Sequence, residues 1–169
     1  KEVSIAKGST GNREYTATWT ENAPDTYNLI VNKGTGIASV SESATYTVGQ
    51  EVTLSYTLEP GYKFDSWSSE EVTVDAENKF TMPAKNVTVK ANARVIVYNI
   101  SYYGLEGATL GEGITNPSTY DVTTETITLN KPTKAGYTFA GWTGTDLDVA
   151  TKEVSIAKGS TGNREYTAT

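Results

Sequence analysis

Apolar and polar residues alternate along much of the chain with a period of two, which is typical of strands that bury one face. Seven segments alternate in this way or are rich in β-branched residues: 27–32, 45–48, 51–58, 87–93, 98–102, 125–129 and 164–169. Glycine and proline separate these segments, as expected of turns between strands. No stretch has the apolar spacing of an amphipathic helix over three turns. The pattern predicts a mainly β protein.

A long exact repeat dominates the organisation of the chain. The first 18 residues, KEVSIAKGSTGNREYTAT, occur again without a difference at residues 152–169. Chance does not produce an identical segment of this length, so the offset of 151 residues predicts a parent protein that repeats a unit of that size. The chain is then a window slightly longer than one period. Trp19 follows the first copy, whereas Thr169 is the last residue of the second.

A weaker repeat lies inside this period. Residues 61–67, GYKFDSW, match residues 136–142, GYTFAGW, at an offset of 75 residues. The segments before each motif align as well. The two repeats together predict four parts: the tail of a preceding copy at 1–19, a linker at 20–26, and two related modules at 27–95 and 97–169.

The shared motif GYxFxxW predicts an aromatic core for each module. Its tyrosine and phenylalanine lie two residues apart and therefore on one face of a strand. Three large rings can anchor a module that is too small to build a core from aliphatic residues alone. The predicted core residues are Tyr62, Phe64, Trp67, Tyr137, Phe139 and Trp142. The alternative is a platform of exposed rings that stacks on a glycan. One short helix is compatible with the sequence after each motif, near 68–71 and 145–150.

Composition and charge exclude several functions. The formal net charge is −6, and the 14 basic residues are scattered, so nucleic acid is not an expected partner. No apolar run approaches the length of a membrane span. The chain has no cysteine and no histidine, so it lacks thiolate chemistry, the most frequent general base and the commonest metal ligand. We therefore expect neither an enzyme nor a cofactor.

Three weak candidate sites have simpler structural explanations. Asp146 and Asp148 could contact a calcium ion, but two carboxylates without further oxygen ligands favour a solvated loop. Glu70 and Glu71 are adjacent and would point to opposite faces of a strand, unlike a facing carboxylate pair. The glycine-rich stretch 104–113 runs into turn residues rather than a helix, so it indicates a long hairpin loop and not a phosphate loop.

The second module resembles a known repeat family. Residues 132–142, PTKAGYTFAGW, and 156–169, IAKGSTGNREYTAT, are similar to the Listeria–Bacteroides repeat, the B-repeat of internalin-type surface proteins. Residues 60–67, PGYKFDSW, and 80–89, FTMPAKNVTV, resemble the divergent form of that repeat, although the closing tryptophan is missing. The resemblance implies small β-grasp-like or β-sandwich-like modules in tandem. It also implies an extracellular location, on the bacterial cell surface or in the cell wall, and it supplies no catalytic residue.

Two functions remain open for such an array. The modules could act as a stalk or spacer, with neighbouring repeats of the same protein as partners. Alternatively they could be adhesive modules that bind a host protein or a glycan. Exposed aromatic residues clustered on one sheet face would favour binding, whereas an even, acidic surface would favour a spacer.

The two copies of the 18-residue segment compete for one position. Only the module that begins near Val97 offers a complete partner for the closing strand. Residues 152–169 are expected to fill it, because covalent continuity gives them a high effective concentration. The leading copy should then be disordered, lie along another sheet edge or complete the module of a neighbouring molecule. The apolar area of Tyr15 and Trp19 favours the last two.

Overall fold

The computed structural model describes residues 2–169, which form 17 strands and no helix. The mainly β prediction is therefore confirmed. The strands of the first module are β1 (Thr26–Lys33), β2 (Ile37–Val40), β3 (Ala44–Thr47), β4 (Glu51–Thr53), β5 (Tyr56–Leu58), β6 (Tyr62–Ser68), β7 (Lys79–Thr81) and β8 (Val87–Val95). Those of the second are β9 (Tyr98–Tyr103), β10 (Ala108–Thr109), β11 (Thr119–Tyr120), β12 (Ile127–Thr128), β13 (Thr133–Lys134), β14 (Trp142–Gly144), β15 (Leu147–Thr151), β16 (Ser155–Ile156) and β17 (Arg164–Ala168).

The first module is built on a four-stranded sheet in the order β3-β1-β8-β6. Its first and last strands, β1 and β8, are parallel neighbours, and the outer strands run antiparallel to them. Two small ladders, β2 with β5 and β4 with β7, complete the module. Alternate residues of β8, namely Val87, Val89 and Ala91, are buried against the small ladders, as the period of two predicts.

The second module repeats this topology strand for strand. Its main sheet has the order β11-β9-β17-β14-β15, and β9 and β17 are again parallel neighbours. The small ladders are β10 with β13 and β12 with β16. Only β15 has no counterpart, because the first module crosses the same region without a regular strand.

Each module has its own hydrophobic core. The first is formed by Leu29, Val31, Val52, Leu54, Phe80, Met82, Val87 and Val89. The second is formed by Ile100, Tyr120, Leu129, Trp142, Val154, Ile156 and Tyr166. The two cores share no residue, as expected of two units that each bury their own apolar face.

The modules meet through a short junction. Only Ile96 and Val97 separate β8 from β9. The backbone N–H of Ile96 donates a hydrogen bond to the carbonyl oxygen of Gly61 at 2.8 Å. Gly61 lies so close to Val122 that an added Cβ would approach its Cγ1 to 2.0 Å. The exit end of the first module therefore abuts the entry end of the second.

Three local expectations are wrong. Neither predicted short helix forms. Residues 68–71 contain the end of β6 and two bends, and residues 145–150 contain most of β15. The segment 51–58 is not one strand, because Leu54 turns into the core and Ser55 bonds to Ser41 through its backbone N–H at 2.6 Å. This break lets β4 and β5 join different ladders.

The two copies of the 18-residue segment have different structures. The second copy supplies β16 and β17 and closes its module, as covalent continuity predicts. Residues 2–25 form no strand, and Trp19 is 91% exposed. The expectation that the leading copy follows a sheet edge is wrong within a single molecule. Residue 1 of the predicted tail lies outside the described residues.

Candidate functional site

The aromatic motif of the first module lies half-buried at the edge of its core. The ring of Tyr62 packs over Gly36, where an added Cβ would lie 2.2 Å from it. Phe64 stacks on Tyr56 with ring centroids 3.9 Å apart and planes inclined by 12°. Trp67 packs against the buried core, and its ring centroid lies 5.6 Å from that of Phe64. The motif thus covers the core, whose fully buried members are other residues.

The motif of the second module divides between core and surface. Trp142 is 0% exposed and is the largest fully buried side chain of the chain that the structure describes. Phe139 is half-buried and packs edge-on against it at 5.6 Å. Tyr137, by contrast, is 74% exposed and carries the Nζ of Lys134 4.8 Å above its ring. The prediction that Tyr137 belongs to the core is therefore wrong.

Tyr137 and Tyr62 differ in their strand pairing. In the first module β8 continues to Val95, which pairs with Tyr62 and holds it in the sheet. In the second module the pairing of β14 with β17 begins at Trp142, which pairs with Ala168. Tyr137 has no ladder partner among residues 2–169.

Tyr56 belongs to this aromatic cluster although it lies outside the GYxFxxW motif. It covers Phe64 and also lies 6.0 Å from Trp67 in an edge-on arrangement. The alternation Leu54, Tyr56, Leu58 was the signal that could have found it. In the second module Lys134 pairs with Ala108 as Leu58 pairs with Ile37, so Pro132 takes the ladder position of Tyr56.

An open groove follows from this arrangement in the first module. Tyr56, Phe64 and Trp67 line it together with acidic and amide side chains, and its volume is about 360 Å³. The Nε1 of Trp67 donates to Oδ1 of Asn78 at 2.8 Å. Oδ1 of Asp75 accepts hydrogen bonds from the backbone N–H groups of Glu77 and Lys79. Rings beside a few fixed polar groups are typical of ligand sites.

A second pocket, the closing pocket, lies at the end of β17 in the second module. It has a volume of about 150 Å³ and is bordered by Thr169. The residues that define it here are Ala108, Pro132, Lys134, Tyr137, Phe139 and Ala168. Among residues 2–169, the aromatic ring that packs against Phe139 is that of Trp142.

The calcium candidates do not share a site. Asp146 forms an ion pair with Arg164, whose Nε also donates to the hydroxyl of Tyr120 at 3.2 Å. These bonds, first that to Tyr120, raise the pKa of Arg164. Asp148 lies exposed in β15. Within residues 2–169, no group of three or more acidic, histidine or cysteine side chains is arranged to hold a metal ion.

The adjacent glutamates have different surroundings. Oε2 of Glu71 accepts hydrogen bonds from the backbone N–H of Thr88 at 3.2 Å and from the hydroxyl of Ser69 at 3.0 Å. The bond from Thr88, followed by that from Ser69, lowers the pKa of Glu71. Glu70 is exposed. Glu71 is therefore an ionised acceptor that ties the connection after β6 to β8.

Two tyrosines of the second module have raised pKa values. Burial raises the pKa of Tyr102 to about 12, with a smaller contribution from Tyr166. The Tyr102 hydroxyl donates to the carbonyl oxygen of Pro117 at 2.9 Å. Burial also raises the pKa of Tyr166. Both groups remain neutral at physiological pH and act in packing.

These features define a class of protein: tandem, mainly β repeat domains in which one topology occurs twice in succession. Across the described part of the chain, no helix has the length and apolar character that crossing a membrane would require.

The particular families follow from sequence comparison. Residues 27–93 match the divergent InlB B-repeat domain, and residues 98–167 match the Listeria-Bacteroides repeat domain. The chain therefore carries one domain of each family, which confirms both resemblances found in the sequence. These repeat families are typical of bacterial surface proteins. No curated protein matches the chain.

Proposed function

We propose that the chain is a non-catalytic stalk segment of a bacterial cell-surface protein, whose modules hold a distal part away from the cell. The parallel pairing of first and last strands carries this proposal, in β1 with β8 and in β9 with β17. Parallel strands run in the same direction, so the chain enters each module at one end and leaves it at the other. Each module therefore adds length to the array.

The dimensions of the strands give the expected gain in length. β8 has nine residues and β9 has six, which span about 30 Å and about 20 Å at a rise of about 3.3 Å per residue. A period of two modules should extend the protein by about 50 Å.

The junction supports a stalk because it restricts bending. Domains joined by long linkers move freely, whereas here two residues and direct contact connect the modules. The bond from Ile96 to Gly61 and the contact of Gly61 with Val122 bring the two module ends together. Neighbouring repeats of the same protein are the partners that this arrangement implies.

The acidic groups support a non-catalytic role. Glu71 accepts two hydrogen bonds with a lowered pKa, which suits an acceptor and not a general acid. Asp146 is compensated by Arg164. The net charge of −6 adds a surface that keeps neighbouring stalks apart.

Small-angle X-ray scattering on chains of one, two and three 151-residue periods tests the stalk. The maximum dimension should increase linearly, by about 50 Å for each period. A dimension that grows much more slowly, as in a compact particle, would contradict the proposal.

Adhesion is the second candidate, and the aromatic groove favours it. Half-buried Tyr56, Phe64 and Trp67 with neighbouring polar groups suit stacking on a host glycan or on a host protein side chain. A glycan array followed by titration of tryptophan fluorescence is the test. Binding that Tyr56→Ala abolishes, and Tyr103→Ala on an exposed site outside the groove does not, would support adhesion. Absence of any ligand would leave the groove as part of the stalk.

A further inference from the structure

We infer that the first module binds an extended, basic peptide segment of a partner protein, which adds to the outer edge of β6 and lies in the aromatic groove. The inference rests on the adhesion candidate and deepens it by naming the chemistry of the partner. It is independent of the stalk.

The outer edge of β6 is unpaired in the sheet of the first module. Within residues 2–169, β6 is the last strand in the order β3-β1-β8-β6 and pairs with β8 alone. The equivalent strand of the second module, β14, lies between two neighbours. There Trp142 pairs with Ala168 of β17 on one side and with Thr151 of β15 on the other. Trp67 pairs with Ala91 of β8, and in the described chain no strand lies on its other side.

The backbone groups of this edge point away from β8. The carbonyl oxygen of Ala91 accepts a hydrogen bond from Gly34 at 2.9 Å, on the side of β8 that faces β1. Two opposite residues of an antiparallel pair either exchange both bonds or both point away from each other. Trp67, opposite Ala91, therefore points its N–H and C=O outward. The carbonyl oxygen of Gly61 is bonded on the β8 side, so by alternation Phe64, three residues later, also points outward.

The segment that follows β6 does not fill this edge. In the second module the chain turns back after β14 and forms β15, whose Val149 is 71% exposed. In the first module Val72 and Val74 pack against the buried core instead. Burial of these two apolar side chains holds the segment away from β6. The groove of about 360 Å³ lies between them, since residues of both β6 and this segment line it.

The groove runs along the edge of β6. The four consecutive residues 64–67 all line it. Successive side chains of a strand point to opposite faces, so a groove that contacts all four follows the strand edge. A strand in this groove can bond to the backbone of Phe64 and Trp67 while its side chains contact the rings. Strand addition of this kind gains affinity from main-chain hydrogen bonds and specificity from side-chain pockets.

The second module lacks the polar groups of the groove. The motif alignment places Ala140 at the position of Asp65. Val154 takes the place of Asn78, because their carbonyl oxygens accept equivalent hydrogen bonds, at 2.9 and 2.8 Å, from the leucines that follow β12 and β4. The topology that the two modules share therefore does not require these groove residues.

The charge of the groove favours a basic partner. Its lining contains Asp65 and Asp75 and neither lysine nor arginine. Asp65 forms an exposed ion pair with Arg94 at 3.3 Å, whereas Asp75 forms none among residues 2–169. A lysine or arginine of the peptide can pair with these carboxylates and lie against the ring of Trp67. An acidic peptide would meet like charges. The occupant is therefore an extended segment in which basic and apolar residues alternate.

Fluorescence anisotropy with two labelled peptides tests the chemistry of the partner. The probes are Lys-Val-Lys-Val-Lys-Val and Glu-Val-Glu-Val-Glu-Val, both acetylated and amidated at their ends. The basic peptide should bind the full chain, and the acidic peptide should not. Equal binding of the two peptides, or binding of neither, would overturn the inference.

A pair of charge substitutions locates the binding. Asp75→Asn keeps an oxygen for the turn and removes one charge, so it should weaken the basic peptide about two- to fivefold, as loss of one exposed ion pair does. Asp148→Asn removes an exposed charge from β15 of the second module and should bind like the parent chain. Equal weakening by the two substitutions would reduce the attraction to net charge and overturn the inference.

Amide hydrogen exchange followed by NMR tests strand addition itself. With the basic peptide at ten times its Kd, exchange at the N–H groups of Phe64 and Trp67 should slow about tenfold. The N–H of Trp142, whose strand already has β15 beside it, should exchange as before. Peptide binding that leaves exchange at Phe64 and Trp67 unchanged would overturn the inference, because side-chain docking alone would then account for it.

Titration of the same chain with glycans separates this inference from the adhesion candidate. A glycan that binds the groove while neither peptide binds would overturn the peptide partner and leave adhesion in place. Failure of glycans and peptides alike would overturn both. The stalk is measured separately, by the length of the array in small-angle scattering.

Discussion

The side-chain oxygen of Asn163 accepts a hydrogen bond from the backbone N–H of Asn99 at 3.0 Å. Asn86 makes the same bond to Asn28 in the first module, at 2.9 Å. In each module the accepting asparagine directly precedes the last strand and bonds to the first. The bond therefore fixes where the parallel pair begins, and with it the direction in which the chain leaves the module.

Asn163→Ala should destabilise the second module by about 0.5–1.5 kcal/mol, the usual net contribution of one hydrogen bond. Thermal melting followed by circular dichroism measures the change. Asn12→Ala alters the same residue of the leading copy, which has no such partner in the described chain, and should melt like the parent at low concentration. Equal effects of the two substitutions would show that the bond contributes nothing.

Trp142→Ala should cost about 3–5 kcal/mol, because it empties a fully buried site. Its Nε1 has no hydrogen-bond partner among residues 2–169, so the loss is one of packing. Trp67→Ala should cost less, since that ring is half-buried. Urea unfolding measures both. A Trp142→Ala chain as stable as the parent would contradict the assignment of this ring to the core.

Gly61→Ala should disturb the junction between the modules. Gly61 has φ +82°, and a Cβ there would also collide with Val122. Gly49 has the same φ with nothing within 4 Å, so Gly49→Ala carries the backbone strain alone. We expect Gly61→Ala to melt at a lower temperature than Gly49→Ala and to change the scattering profile. Adding Val122→Ala to Gly61→Ala should raise the melting temperature part of the way towards that of Gly49→Ala. A melting temperature that does not rise would argue against the contact between Gly61 and Val122.

Alkaline pH should destabilise the second module. Burial raises the pKa of Tyr102 from 10 to about 12, so the unfolded chain loses this proton first as pH rises. The contribution is fully present below pH 10 and is lost as pH rises towards 12. Urea unfolding between these pH values should show falling stability, and Tyr102→Phe should flatten the curve. Tyr103→Phe, on an exposed neighbour in β9, is the control. An unchanged slope in Tyr102→Phe would exclude this tyrosine as the cause.

The sequence predicted the duplicated topology because repeats preserve the order of strands. The match of 52–54 with 127–129, for example, identifies β4 with β12, which occupy equivalent ladders. It could not predict that Tyr62 and Tyr137 would differ. Their local motifs are the same, but their surroundings in the fold are not: Tyr62 pairs with Val95 and packs over Gly36, whereas Tyr137 lies beside Lys134.

The two predicted short helices do not form, for a related reason. Residues 145–150 carry no strong preference, and the edge of β14 offers unpaired backbone groups that β15 satisfies. Pairing with an available strand edge outweighs a weak helical propensity. The same holds for Tyr56, whose place over Phe64 depends on how β5 crosses β6.

The identical copies of the 18-residue segment separate local from tertiary effects. In both, the N–H of the serine after Lys-Gly bonds back to an alanine carbonyl, Ser9 to Ala6 at 3.2 Å and Ser160 to Ala157 at 3.1 Å. The intervening glycines have φ +89° and +85°. This turn is determined by the sequence itself, because glycine adopts positive φ without steric cost. The strands β16 and β17 form only in the second copy, where β9, β12 and β14 supply hydrogen-bond partners and a core. Only the tertiary structure decided between strand and exposed chain, since an isolated strand cannot satisfy its own backbone groups.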